Sequence, residues 1–155
     1  MPLEPGDKAP AVELLDQHGQ PFSLSKSLKQ REAPHLIYFY PKADTPGCTT
    51  QACGLRDVLA EIGEASVVGI SPDEPDRQAA FDEKYGLGFP LLSDPDHAVA
   101  DAYGVWGEKK LYGKAYMGII RSAFVVDERG GIAEAWYKIS PKDTPAKFVQ
   151  ALAAR

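Results

Sequence analysis

The sequence predicts an α/β fold in which a central mixed β-sheet is flanked by helices on both faces. Two observations support this prediction. Apolar segments of strand length alternate with segments in which apolar residues recur at helical spacing. Near the end of the chain, two strand-like segments follow one another around the turn 127–131, and a last helix comes after them.

The predicted elements follow in chain order. Strands are expected at 12–15, 21–24, 36–40, 67–70, 89–92, 123–126 and 133–137, with the first two forming an N-terminal β-hairpin around Gly19. Helices are expected at 49–62, 76–85, 96–103 and 144–154, and the first three end at Gly63, Gly86 and Gly104. This order fits the thioredoxin-like arrangement, whereas the hairpin near the end disfavours a flavodoxin-like sheet. Because no segment repeats and none resembles a linker, a single domain is expected over 1–155.

Composition narrows the functional classes. The 155 residues are 44% hydrophobic and 25% charged, which is typical of a globular protein and not of a disordered one. The net charge of -5 disfavours binding to nucleic acid, and no apolar segment reaches the roughly 20 residues of a membrane helix. The first residues lack the pattern of a secretory signal, so a cytoplasmic protein is expected.

Two cysteines, Cys48 and Cys53, are too few for a disulfide scaffold. Cys48 lies between a predicted buried strand and a predicted helix, where Thr45 has the form of an N-cap and Pro46 of the first helical residue. Free backbone N–H groups and the positive end of the helix dipole favour a thiolate there. Cys48 is therefore a candidate nucleophile, although burial as a small apolar residue is the alternative.

The spacing of the two cysteines limits how they can interact. Five residues along an ideal helix separate two Cα atoms by about 8.7 Å. A disulfide needs about 4.4–6.8 Å. Cys48 and Cys53 therefore cannot be bonded while the helix is intact, but a disulfide that forms when the first helical turns unwind is possible.

Three blocks of the sequence are the most specific, residues 38–42, 45–49 and 51–57, and further blocks lie at 6–10, 69–71, 91–94, 103–109, 113–114 and 120–124. Together these blocks resemble the peroxiredoxins, and more narrowly the bacterioferritin comigratory protein (peroxiredoxin Q) branch. The resemblance covers nearly the whole chain. It implies a thioredoxin fold and a thiol peroxidase that reduces hydrogen peroxide and organic hydroperoxides.

The resemblance also implies roles for individual residues. Cys48 matches the peroxidatic cysteine, and Cys53 matches the resolving cysteine of one subgroup. Pro41, Thr45 and Arg121 match the remaining active-site positions. A sulfenic acid on Cys48, an intrachain Cys48–Cys53 disulfide and a thioredoxin-type dithiol reductant are then expected. No haem or metal is expected, and a resolving cysteine in the same chain favours a monomer.

Two other functions stay open from the residues alone. A general thiol–disulfide oxidoreductase is one, although the two-residue spacing of a Cys-x-x-Cys motif is absent and Thr45 and Arg121 have no evident use in it. A redox-sensing or chaperone-like binding module is the other, and it would be oxidised without turnover. Trp106 is expected in a loop as an ordinary packing aromatic, and Arg56 with Asp57 as a pair on a helix surface.

Overall fold

The computed structural model describes residues 2–62 and 65–155. The helices are α1 (Leu24–Arg31), α2 (Pro46–Ile62), α3 (Pro75–Tyr85), α4 (Ala98–Ala102) and α5 (Thr144–Ala153). The strands are β1 (Glu13–Leu15), β2 (Pro21–Ser23), β3 (His35–Phe39), β4 (Ser66–Ser71), β5 (Leu91–Ser93), β6 (Trp106–Leu111), β7 (Lys114–Ile119), β8 (Ser122–Val126) and β9 (Ile132–Trp136).

Seven strands form one mixed sheet in the order β2-β1-β5-β4-β3-β8-β9. β4 is parallel to both β3 and β5, whereas β8 is antiparallel to β3 and to β9. β3 and β8 are buried along their whole length, which explains their continuous apolar sequences. β6 and β7 pair only with each other among the described residues and form a separate two-stranded hairpin.

Each face of the large sheet carries its own apolar core. On one face, side chains of α1 and α4 pack against alternate residues of β3 and β4, such as Ile37 and Val68. On the other face, α2, α3 and α5 pack against the intervening residues, such as Leu36 and Val67. Alternation along each strand therefore divides the helices between two layers, with Cys48 in the second core.

The predicted fold class is confirmed, because a mixed sheet is flanked by helices and begins with the hairpin β1–β2. Most predicted elements lie within a few residues of the observed ones. α3 ends at Gly86 in the left-handed conformation, as expected. Gly104 lies two residues beyond α4 and not directly at its end, because Tyr103 caps that helix. The expected stop at Gly63 lies outside the described residues.

Three predictions about elements are wrong. Leu24 does not extend β2 but begins α1, whose N-cap is Ser23; this helix was missed because its apolar positions are few. The hairpin β6–β7 was missed because its exposed strands lack apolar alternation. Trp106 consequently lies in a strand and not in a loop, and its ring stacks on His97 at 3.9 Å.

In the described ranges no helix is both long enough and apolar enough to span a membrane.

The buried side chain of His35 makes stability depend on pH. Its ring contacts the Ser27 hydroxyl at 2.7 Å and the Ala33 carbonyl at 3.0 Å. Burial lowers the pKa of His35 below its ordinary value of about 6.5. The unfolded chain therefore binds more protons than the folded protein below that pH, and the free energy of unfolding decreases as the pH falls through this region.

We expect His35→Gln to weaken this dependence between about pH 7 and 5, measured by urea denaturation at several pH values. The exposed residue His18 provides the matched control, His18→Gln. The acidic groups Asp44 and Glu128 do not confuse the comparison. Their pKa values are lowered by hydrogen bonds from Lys84 and Arg155, so the stability that these groups contribute to the fold is lost at more acidic pH. Equal pH dependence in wild type and His35→Gln would contradict the assignment.

Candidate active site

The site lies where β3 ends and β8 begins. These antiparallel strands pair Phe39 with Ser122, so the residue before β8 is held beside the chain that leaves β3. Arg121 is that residue, and the Ile139 N–H donates to its carbonyl at 2.9 Å. The sheet therefore places the Arg121 side chain next to the segment 40–48.

A buried hydrogen-bond network supports the loop between β3 and α2. The Tyr40 hydroxyl donates to Gln78, whose amide donates to Ser71 Oγ at 2.8 Å. Ser71 donates to Asp73 Oδ2 at 2.7 Å, and the same oxygen accepts from the Ala43 N–H at 2.7 Å. A loop whose buried polar groups are satisfied in this way is held in one conformation.

Thr45 and Pro46 begin α2 as the sequence predicts. The Thr45 carbonyl accepts from the Thr49 N–H at 2.8 Å, and Pro46 is the first helical residue. The Thr45 hydroxyl donates to the Lys42 carbonyl at 2.9 Å, so its lone pairs face away from that bond. Pro41 is half-buried at the start of the same loop.

Cys48 is the third residue of α2, and only 1% of its surface is exposed. The Arg121 guanidinium donates from Nη2 to Cys48 Sγ at 3.4 Å. The sulfur therefore lies beside a positive charge and at the N-terminal end of a helix, two surroundings that attract negative charge. The sequence predicts the helix start at Cys48, and the resemblance implies Arg121 as a site residue; the structure adds the contact between the guanidinium and the sulfur.

Gln51 is a site residue that the sequence analysis missed. It is fully buried one turn after Cys48, and its Oε1 accepts from Arg121 Nη1 at 2.7 Å. Its Nε2 donates to Thr144 Oγ1 at 3.0 Å, and Thr144 donates to the Ser140 carbonyl at 2.9 Å. Spacing of three residues from Cys48 is a signal that could have found Gln51. No local signal points to Thr144.

Cys53 is half-buried and lies on the same unbroken helix as Cys48. Both thiols are free, which agrees with the separation of about 8.7 Å expected between their Cα atoms in an intact helix. Gly54 lets α5 approach α2 closely, because a Cβ at this position would lie 2.7 Å from Pro145 Cγ. The first turns of α2 are thus held both by Arg121 and by the start of α5.

Comparison with known proteins agrees with this geometry. Residues 5–135 match the model of the AhpC/TSA family. Peroxiredoxin Bcp of Bacillus subtilis is 43% identical over 154 residues, which cover 98% of this chain and 96% of that protein. Peroxiredoxin Bcp of Escherichia coli is 51% identical over 133 residues, covering 84% and 83%. The chain belongs to the peroxiredoxins of the AhpC/TSA family.

A solved structure supports the same conclusion at the level of the fold. The bacterioferritin comigratory protein of Xanthomonas campestris, described as having alkyl peroxide reduction activity, has a TM-score of 0.82 to this peroxiredoxin at 34% identity. The match covers 92% of this chain and 90% of that one. The resemblance to the peroxiredoxin Q branch is therefore confirmed, and so is a thioredoxin-like fold. As a peroxiredoxin, the protein is a thiol peroxidase.

Two further side chains of the peroxiredoxin lie close enough to affect the electrostatics of Cys48. Lys109 donates to the Ile119 carbonyl at 2.8 Å, and its pKa is lowered by burial and by the nearby Arg121. Burial raises the pKa of Tyr38 well above its ordinary value, so this hydroxyl stays protonated. Its oxygen has no hydrogen-bond partner among the described residues. The site thus combines positive charge from Arg121 and Lys109 with the uncharged hydroxyl of Tyr38.

Because Gln51 joins Arg121 to Thr144, replacing it should destabilise the peroxiredoxin. We expect Gln51→Leu to lower the free energy of unfolding by about 1–3 kcal/mol, since the half-buried Arg121 then loses the acceptor of its Nη1. Guanidinium denaturation measures this loss. Gln150 is exposed on α5, so Gln150→Leu is the control and should stay within about 0.5 kcal/mol of wild type. Equal stability of the two variants would show that the Gln51 contacts contribute nothing.

Proposed function

We propose that Cys48 is the nucleophile with which this peroxiredoxin reduces hydrogen peroxide and alkyl hydroperoxides. The observation that carries this assignment is the contact of 3.4 Å between Arg121 Nη2 and Cys48 Sγ at the start of α2. A buried sulfur next to a fixed cation is suited to act as a thiolate. The activity described for the Xanthomonas relative supports alkyl hydroperoxides as substrates.

In the first step the Cys48 thiolate attacks one oxygen of the peroxide and the O–O bond breaks. The sulfur becomes a sulfenic acid, and the other oxygen leaves as water or an alcohol after taking up a proton. Negative charge develops on the leaving oxygen, so fixed donors lower the barrier. Arg121 supplies one such donor through its fork of N–H groups. The Thr45 hydroxyl supplies another once it turns from the Lys42 carbonyl, to which it donates in this structure, towards the peroxide.

Pro41 and the loop around it limit access of water to the reacting sulfur. Proline has no N–H to donate, so it shields the thiolate from water without itself forming a hydrogen bond to the sulfur. The hydrogen bond from Ala43 N–H to Asp73 holds the same loop close to β4. Excluding water strengthens the interactions of Arg121 with the thiolate and with the peroxide.

In the second step the Cys53 thiol condenses with the Cys48 sulfenic acid, forming a disulfide and releasing water. Because the intact helix holds the two Cα atoms about 8.7 Å apart, the first turns of α2 must unwind. A dithiol of the thioredoxin type then reduces the disulfide by thiol–disulfide exchange and is itself oxidised. The cycle needs one chain only, so we propose that the protein is a monomer with a single domain over 1–155. We also propose that it is cytoplasmic and works without a metal or other cofactor.

Substitution of each cysteine tests both steps. We expect Cys48→Ser to abolish peroxide consumption, because the nucleophile is lost. Cys53→Ser should consume one peroxide per chain, stop turning over with thioredoxin and become prone to sulfinic acid formation. Peroxide consumption coupled to thioredoxin and its reductase measures turnover, and mass spectrometry identifies the oxidised forms.

The two variants control for each other, since each removes one thiol of the same helix. Most of the wild-type activity in Cys48→Ser would show that another group attacks the peroxide. Full thioredoxin-dependent turnover by Cys53→Ser would exclude Cys53 as the resolving residue. A disulfide form in which α2 stays unbroken from Cys48 to Cys53 would contradict the unwinding step.

Removing the guanidinium should slow the attack on peroxide. We expect Arg121→Ala to reduce the second-order rate constant about 10²–10³-fold, as for other donors to a developing oxyanion. Stopped-flow fluorescence or competition for hydrogen peroxide measures this constant. Arg129 is exposed in the turn between β8 and β9, so Arg129→Ala is the matched control. An unchanged rate constant in Arg121→Ala, with native circular dichroism, would remove this residue from the site.

A further inference from the structure

The hairpin β6–β7 exposes an unusual amount of apolar surface. Six large apolar side chains are exposed among the described residues, and four of them lie on this hairpin: Leu111, Tyr112, Tyr116 and Met117. The strand register places Lys109 opposite Tyr116 and Leu111 opposite Lys114, so Leu111 and Tyr116 share one face with these two lysines. Met117 lies opposite Glu108 on the other face. Such a cluster on a protein surface indicates a binding site.

The turn of the hairpin also indicates a binding site. Tyr112 and Gly113 form a two-residue loop in which both φ values are positive, 51° and 78°. Turns of this type favour Asn-Gly, and a bulky residue in the first position is conformationally unfavourable. Tyr112 is 96% exposed, so packing within the chain does not offset this cost. An aromatic ring exposed in this way is suited to contact a partner.

Charge distinguishes this surface from the rest of the molecule. The segment 108–118 contains three lysines and one acidic residue, Glu108, and so carries a net charge of +2. The whole chain carries -5, which leaves -7 on the remainder. The hairpin is therefore a basic and apolar patch on an acidic protein, and complementarity favours an acidic partner.

The patch is continuous with the active site. The Lys109 ammonium donates to the Ile119 carbonyl, two residues before Arg121. The Ile120 side chain lies over Gly107, since a Cβ there would be 2.7 Å from Ile120 Cδ1. A protein that rests on the hairpin is thereby placed beside the segment that carries Arg121.

We propose that the exposed face of β6–β7, with Leu111, Tyr112, Tyr116 and Lys114, docks the acidic protein dithiol that reduces the Cys48–Cys53 disulfide. This inference rests on the proposed function, which requires a reductant to reach these sulfurs. A second copy of the chain is a poorer fit. A symmetric dimer through this patch would bring six lysines together. Only a transient contact is needed, and small interfaces suffice for transient redox partners.

Tyr112→Asn is the most informative variant, because asparagine suits the turn better than tyrosine. We expect its melting temperature to equal or exceed that of wild type. The ratio of kcat/KM with Escherichia coli thioredoxin to kcat/KM with dithiothreitol should fall about tenfold, as expected when a central contact is lost. Leu111→Ser should act in the same direction. In Lys114→Glu the dependence of the thioredoxin reaction on ionic strength should weaken.

Leu15→Ser and Val149→Ser are matched controls, since they replace the two large exposed apolar residues that lie outside the hairpin in the described part of the chain. In these two variants the ratio of kcat/KM with thioredoxin to kcat/KM with dithiothreitol should equal that of wild type. An unchanged ratio in both Tyr112→Asn and Leu111→Ser would overturn the docking surface, and so would a wild-type dimer in sedimentation that Tyr112→Asn dissociates. If wild type reduces no peroxide even with dithiothreitol, the proposed function itself fails and the docking surface falls with it.

Discussion

The antiparallel pairing of β3 with β8 is the constraint on which the site depends. This pairing sets Phe39 opposite Ser122, and so holds Arg121 beside the chain that leads into α2. The guanidinium then divides its two ends between Cys48 and Gln51. Because alternate side chains of both strands pack into two different cores, a slip of one residue would exchange the side chains of these cores and is strongly disfavoured. The position of the cation is thus fixed by the core of the sheet.

The contacts that support the proposed role of Cys48 as nucleophile also oppose the second half of the proposed cycle. Arg121, Gln51 and Thr144 form a chain of hydrogen bonds that stabilises the first turns of α2 in their helical form. Pro145 packs against Gly54 on that helix as well. Opening the helix breaks these contacts, so its free-energy cost includes the contacts with the start of α5 as well as those within the helix. The proposed attack by Cys48 therefore needs these contacts, whereas the proposed resolution by Cys53 needs them broken.

Buried polar groups are concentrated behind the loop that precedes Cys48. Gln78 bonds to Tyr40, Ser71 and the Leu92 carbonyl, and Asp73 bonds to the Ala43 N–H. Desolvation of these groups is compensated because each finds a partner, and the network thereby fixes the loop in one conformation. Asp44 extends the connection to the surface through Lys84 of α3. The loop is therefore fastened to α3 and β4 as well as to the strand it leaves.

The sequence by itself determined the features that depend on neighbouring residues. Apolar periodicity predicted most strands and helices, and Thr45 with Pro46 predicted the start of α2 and the place of Cys48 within it. The sequence did not predict the hairpin β6–β7, because few of its side chains are buried and apolar and polar residues therefore do not alternate along its strands. Arg121 could be assigned only through family resemblance, and Thr144 not at all. Each lies more than 70 residues from its partner, and only the tertiary packing of β8 and α5 against β3 and α2 brings these side chains together.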